Sequence, residues 1–259
     1  MRRKVLLASG LFCLVWLAVV PAEAIVGGHA DGNLHPEVGA VVGFIPQAGT
    51  DVAYCSGSLI SPTVFLTAAH CAFAARPVAR VTFDEHYTAT STLHSGVIHV
   101  HPGWNRQANT SVNDVAVIVL DQAVTGITPA QLPTAGLLDE LRLTPQSNFT
   151  TVGYGDTEFV NGPGGKTTTH VQARHYAVGS FRSLAAGALH LSQNAATGDG
   201  GSCNGDSGGP NYIGAGTAET DTIAAITNTG DTYCNATGVA QRLDISSVRG
   251  FLDDYVVVP

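Results

Sequence analysis

The chain has 259 residues, 44% of them apolar and 12% charged, too rich in core-forming side chains for a disordered polymer and long enough for one large or two small domains. Twelve Lys and Arg against 20 Asp and Glu leave a net charge of -8, so the basic excess that nucleic-acid binding draws on is missing. We expect a globular protein and no nucleic-acid partner.

The chain opens on Met1-Arg2-Arg3-Lys4, runs through an apolar stretch from Val5 to Val20, and reaches the small-x-small pattern Ala22-Glu23-Ala24. This reads as a secretory signal peptide over residues 1–24. The apolar stretch, about 16 residues, is short of the roughly 20 that a spanning helix needs. Residues 25–259 are then a secreted, extracellular domain with no membrane association after cleavage. Removing Arg2, Arg3, Lys4 and Glu23 leaves 9 basic and 19 acidic residues, and Lys166 is the one lysine left.

Cys13 leaves with the signal, and Cys55, Cys71, Cys203 and Cys234 remain. An even number in an oxidising compartment favours disulfides. Of the three possible pairings, Cys55 with Cys71 and Cys203 with Cys234 close the short loops. The closely spaced Cys and His pairs of a structural zinc site are missing, His70 beside Cys71 excepted.

Beyond residue 24 the pattern is short Val, Ile, Thr and Phe runs broken by Gly, Pro, Asn and Asp, which is all-β. We predict strands over 38–45, 58–68, 96–100, 115–120, 148–154, 170–178, 188–192, 223–228 and 238–243. Residues 161–165 (Asn-Gly-Pro-Gly-Gly) read as an exposed loop. One helix is predicted, at the end, with Ser246-Ser247 as its cap and Val248, Phe251, Leu252 and Tyr255 on one face. A double barrel or a large sandwich suits this spread of strands.

Three short segments carry chemistry. Gly205-Asp206-Ser207-Gly208-Gly209-Pro210 sets a serine among glycines, where the backbone can adopt unusual dihedrals and aim N–H groups at a developing oxyanion. A serine hydroxyl is a weak nucleophile at neutral pH and needs a base. Thr67-Ala68-Ala69-His70-Cys71 supplies an imidazole at the end of an apolar run, and Asn113-Asp114 places a carboxylate at the mouth of the apolar run Val115 to Leu120. Such a carboxylate can orient the imidazole and stabilise its cation.

These segments, with Ile25-Val26-Gly27-Gly28, Cys55-Ser56-Gly57-Ser58-Leu59-Ile60 and His101-Pro102 in the same order, resemble the trypsin/chymotrypsin family of serine proteases over nearly all of residues 25–259. The resemblance implies an all-β fold of two six-stranded antiparallel barrels with a C-terminal helix. It further implies Ser207 as nucleophile, His70 as general base and acid, Asp114 as orienter, and the N–H groups of Gly205 and Ser207 as oxyanion hole. No cofactor or metal is implied, and the partners are protein or peptide substrates and protein protease inhibitors of a monomer.

In this family a new N-terminal amine pairs with the Asp before the nucleophile, which implies Ile25 and Asp206 here. Ala24 precedes Ile25, so removal of the signal would itself create that amine. By the same resemblance Gly201, Gly230 and Gly238 surround the pocket for the side chain before the scissile bond. With Gly201 where trypsin carries an Asp, the pocket lacks a countercharge for Arg or Lys. Three glycines suggest an open pocket for large apolar or aromatic groups. If the alignment shifts by one residue, Thr229 lines the mouth and smaller groups such as Ala, Val or Leu are favoured instead. The competing readings are a catalytically inactive, protease-like binding protein, a metal site at His94, His99 and His101, and calcium at Asp84-Glu85. Asn109, Asn148 and Asn235 head glycosylation acceptor patterns.

Overall fold

A computed structural model of the chain describes residues 25–72, 78–107, 112–157, 159–162 and 165–259. The signal segment and Asn109 lie outside these residues, as do Pro163 and Gly164 of the predicted loop.

Six strands form the first barrel: β2 (Val38–Ile45), β3 (Thr50–Ser61), β4 (Val64–Thr67), β5 (Val78–Thr82), β6 (His94–Val100) and β7 (Ala116–Leu120). They close in the order β2-β3-β4-β7-β6-β5, with every pairing antiparallel. A two-residue strand β1 (His29–Ala30) precedes them, and a short helix α1 (Leu137–Glu140) follows. The second barrel uses β8 (Asn148–Gly153), β11 (His175–Leu184), β12 (Ala188–Ser192), β13 (Pro210–Ile213), β14 (Ile223–Gly230) and β15 (Thr237–Arg242). Its sheet runs β11-β12-β15-β14-β13-β8 and closes through β8 on β11, while β1 pairs along β11 at the edge. Asn161, Gly162 and Gly165 of the predicted loop lie instead in two short antiparallel strands, β9 (Val160–Gly162) and β10 (Gly165–Thr167).

Alternation of apolar and small residues explains why these strands roll up. Closure pairs every edge and leaves one inward face to fill. Leu59, Phe65, Val81, Val117 and Ile118 are fully buried in the first core. Phe149, Leu189, Leu191, Ala225 and Ala240 fill part of the second.

The predicted strand over 58–68 is in fact the end of β3 and all of β4, separated by the turn at Pro62-Thr63. The strand predicted over 170–178 begins only at His175, because before it His170 and Ala173 form isolated bridges to Asp156 and His86 and Arg174 N–H donates to the Glu85 carbonyl. The final helix is α2 (Ser246–Leu252). It has no side-chain cap, since Ser247 Oγ donates instead to Asn113 Oδ1 at 2.8 Å. Its buried face is Val248, Phe251 and Leu252, packed on the first barrel.

Candidate active site

His70 and Asp114 both come from the first barrel. The fully buried run of β4 ends in a single 3-10 turn, Ala69–Cys71, and Cys71 is tied to Cys55 of β3 by a disulfide with Cα atoms 6.1 Å apart. Between two buried neighbours His70 is left partly exposed, its side chain 33% accessible. Asp114 enters β7 just after Asn113, whose φ of 58° is left-handed. The Asp114 side chain is 4% accessible. It accepts from His70 twice, at 2.8 Å from the backbone N–H and at 2.6 Å from Nδ1. A carboxylate so close to Nδ1 fixes the proton there, and Nε2 on the far side of the neutral ring becomes an acceptor.

Ser207 comes from the second barrel, in the turn before β13. Gly205 at φ 95° and Gly208 at φ 82° flank it in a conformation that side chains rarely tolerate. Gly208 also packs so closely on the segment before His70 that a Cβ would lie 2.6 Å from the Ala68 nitrogen. The Ser207 carbonyl accepts from Ser56 N–H of β3 at 2.8 Å, and Cys71 Sγ lies 3.6 Å from the same oxygen. The Gly205 carbonyl accepts from Ser56 Oγ at 3.0 Å. Main-chain bonds across the cleft thus set the serine turn against the histidine turn. Among the described residues no protein acceptor takes the N–H of Gly205 or of Ser207.

Ile25 and Asp206 are both fully buried and near one another in the fold, but the structure does not pair them. Ile25 N donates to the Asp156 carbonyl at 3.1 Å. The Asp206 carboxylate accepts from Gly155 N–H at 2.7 Å and Cys203 N–H at 2.8 Å. The reason is covalent: in the uncut chain Ile25 N is a peptide nitrogen and carries no charge. Burial pushes the Asp206 pKa up to about 7, opposed by the two amide bonds. His170 stands nearby, with its ring nitrogens 3.0 Å from Asp156 Oδ1 and 2.7 Å from the Ala53 carbonyl. Both nitrogens face acceptors, an arrangement that favours the doubly protonated ring. Burial pulls its pKa down, but the bonds to Asp156 and Ala53 and the charge of Asp206 raise it overall.

Gln193, a residue that the motifs do not reach, lies among the three glycines expected to leave the pocket open. Gly201 and Gly238 do line one cavity, with Ser202 and Thr227. The Gln193 side chain lies in it, 1% exposed, and leaves about 10 Å³. That is room for roughly one water. A Cβ on Gly201 would meet Gln193 Nε2 at 2.5 Å, one on Gly238 would meet Cδ at 3.3 Å, and one on Gly230 would meet Oε1 at 3.6 Å. Interiors are close-packed. Three converging glycines therefore called for a large side chain from elsewhere, and this was the signal that could have found Gln193.

The second disulfide, Cys203 to Cys234, joins the serine loop to the turn after β14, Cα atoms 5.3 Å apart. The three histidines weighed as a metal site face separate partners. His94 lies against Phe83, His99 against Tyr255, and His101 against Phe251 and the Ser247 carbonyl. Among the described residues the one cluster of metal-ligating types is Cys55, His70 and Cys71, whose sulfurs are bonded to each other. Asp84 and Glu85 accept from the N–H groups of Thr92 and Gly32.

Two closed six-stranded barrels with this connectivity and a terminal helix define the chymotrypsin-like class. The Trypsin family model matches residues 37–248, and the chain belongs to that family of serine proteases. It is 33% identical over 100 residues to human chymotrypsin-like elastase family member 3B, covering 35% of this chain and 37% of the relative. It is 30% identical over 173 residues to glucanase inhibitor protein 4 of Phytophthora infestans, covering 61% of each chain. Chymotrypsin-like elastase family member 1 of Macaca fascicularis is 30% identical over 167 residues, 60% of this chain and 61% of the relative. The matches therefore span between about a third and three fifths of these relatives' length.

Proposed function

We propose that residues 25–259 are a secreted serine endopeptidase that hydrolyses peptide bonds through His70, Asp114 and Ser207. The observation that carries this is the two-point hold of Asp114 on His70, which leaves Nε2 to serve a serine turn locked against the same barrel. In the mechanism Nε2 takes the Ser207 proton as Oγ attacks the scissile carbonyl. The N–H groups of Gly205 and Ser207 stabilise the oxyanion. The imidazolium, held by Asp114, returns the proton to the leaving amine, and water then releases the acyl group by the same steps in reverse roles. Substrates are proteins or peptides, and protein inhibitors that occupy the same cleft are natural partners of what is a monomer.

Residues 1–24 act as the export signal, and its removal frees the Ile25 amine to pair with Asp206. Export fits the two disulfides. Among the described residues no helix is long and apolar enough to cross a membrane.

A second reading, an inactive binding protein on the protease fold, has support from one relative whose name is that of a glucanase inhibitor. Intact mass of the exported protein before and after a fluorophosphonate separates the two. A mass starting at Ile25 that gains one adduct, mapped to Ser207, is the outcome for an active protease. A protein that starts at Ile25 and takes no adduct is the binding protein. A longer N-terminus without adduct is a precursor that another protease must cut.

A further inference from the structure

Gln193 follows directly on β12, and its backbone N–H donates to the Ala236 carbonyl at 3.1 Å. Its side chain is therefore aimed by the barrel itself. Nε2 is tied to Ser202, donating to its carbonyl at 2.6 Å, with Ser202 Oγ at 3.4 Å. Oε1 lies toward Gly230, which is exposed at the rim. This oxygen is buried and accepts no hydrogen bond among the described residues. A buried acceptor without a donor is costly to keep, and a ligand that supplies the donor recovers that cost.

We propose that Gln193 is the specificity-determining residue of this pocket, limiting the residue before the scissile bond to short side chains and favouring those that bring a hydroxyl to Oε1, serine and threonine. The inference rests on the proposed peptidase activity and adds its substrate class. Two physical effects combine. The glutamine occupies the volume that an aromatic ring would need, and its fixed amide turns an acceptor toward the entrance. An apolar group in place of the hydroxyl leaves Oε1 unpaired, and sites built to hydrogen-bond a hydroxyl discriminate against the analogue that lacks it.

The test is kcat/KM on one peptide series differing only at that position, Ala, Ser, Val, Thr, Phe and Arg, for the wild type, Gln193→Gly and Gln193→Met. In the wild type Thr exceeds Val by about 10-fold, and Phe and Arg fall about 100-fold below Ser, magnitudes typical of such pockets. Gln193→Met keeps the bulk and removes the acceptor, so Thr and Val become equal while Phe stays poor. Gln193→Gly empties the pocket, so Phe rises at least 10-fold, about the effect of added apolar space. Fluorophosphonate labelling of Ser207 checks that each variant is folded. A labelled wild type that prefers Phe or Arg, or Val over Thr, overturns this inference and leaves the peptidase standing. A wild type that neither labels nor cleaves any peptide overturns both.

Discussion

Asp206 is a carboxylate sealed from water with two amide donors and no paired cation. Its pKa of about 7 in the folded, uncut chain is above the usual carboxylate range of about 4. The folded state thus binds this proton more tightly than the unfolded one, and stability falls as pH rises from about 4 to about 7, by on the order of 4 kcal/mol. Asp206→Asn removes that dependence. Thermal melts of the uncut chain with a blocked Ala24–Ile25 bond should show the variant more stable than wild type at pH 8, with the gap closing by pH 4. A constant gap across that range refutes the assignment. In the cut form the proposed pairing of the Ile25 amine with Asp206 predicts the reverse order at pH 7. The residues of the serine, histidine and aspartate segments were legible because each sits in a local motif with its neighbours. Gln193 was not, since what makes it matter is three glycines brought together only by the fold, Gly230 of β14 opposite Gly238 of β15 and Gly201 from the segment bridged to Val26.

Among the elements, strands with clean apolar runs and turn residues at both ends were readable, as β2 and β12 show by matching their predicted limits. Strand β5 was not, because Arg80 interrupts it and pairs with Asp51 at 2.9 Å on the barrel surface. Strand β13 was hidden by its first residue, Pro210, which reads as part of the turn. The disulfides tie down both halves of the site, the histidine turn to β3 and the serine loop to the turn after β14. The loops that they close, 16 and 31 residues apart in sequence, correspond to about 3 and about 4 kcal/mol of stabilisation by chain entropy. Replacing Cys203 and Cys234 together by Ser should lower unfolding free energy by about 4 kcal/mol in urea titrations. Replacing Cys55 and Cys71 should lower it slightly less yet reduce kcat/KM more, since Cys71 ends the His70 turn. Equal activity losses in the two double variants would contradict that placement.

Across the whole molecule the barrels are joined by a buried ionic network. Arg174, fully buried, bonds Asp31 at 2.8 Å and reaches the first barrel through the carbonyls of Val38 and Phe83 at 2.9 and 3.1 Å. Asp31 in turn meets His35 Nδ1 at 2.5 Å, while His35 Nε2 meets Glu219 at 2.7 Å and the ring stacks on Tyr212 of β13. Burial pulls the His35 pKa down, but its bonds to Asp31 and Glu219 and their charges raise it to about 9. The folded pKa exceeds the unfolded value of about 6.5, so the stabilisation is full below pH 6.5 and disappears as pH passes 9. His35→Gln should destabilise the protein by on the order of 3 kcal/mol at pH 6, and by far less at pH 10. Melting curves of both proteins at the two pH values measure this. A difference independent of pH would mean that packing on Tyr212, and not charge, holds the segment.

The two ends of the chain are exchanged between the halves. Residues 26–35 lie on the second barrel, through Val26 bridged to Gly201, β1 on β11, and His35 on Glu219. The last helix and the turn after it cover the first barrel, through Phe251 on His101 and Tyr255 on His99. The first barrel therefore has no lid until residues 246–255 are made, and residues 26–35 have no seat until β11 exists. Neither half can finish as a separate unit. Formation of each barrel is thereby coupled to a segment that lies far away in sequence, and unfolding of the two halves is expected to be cooperative.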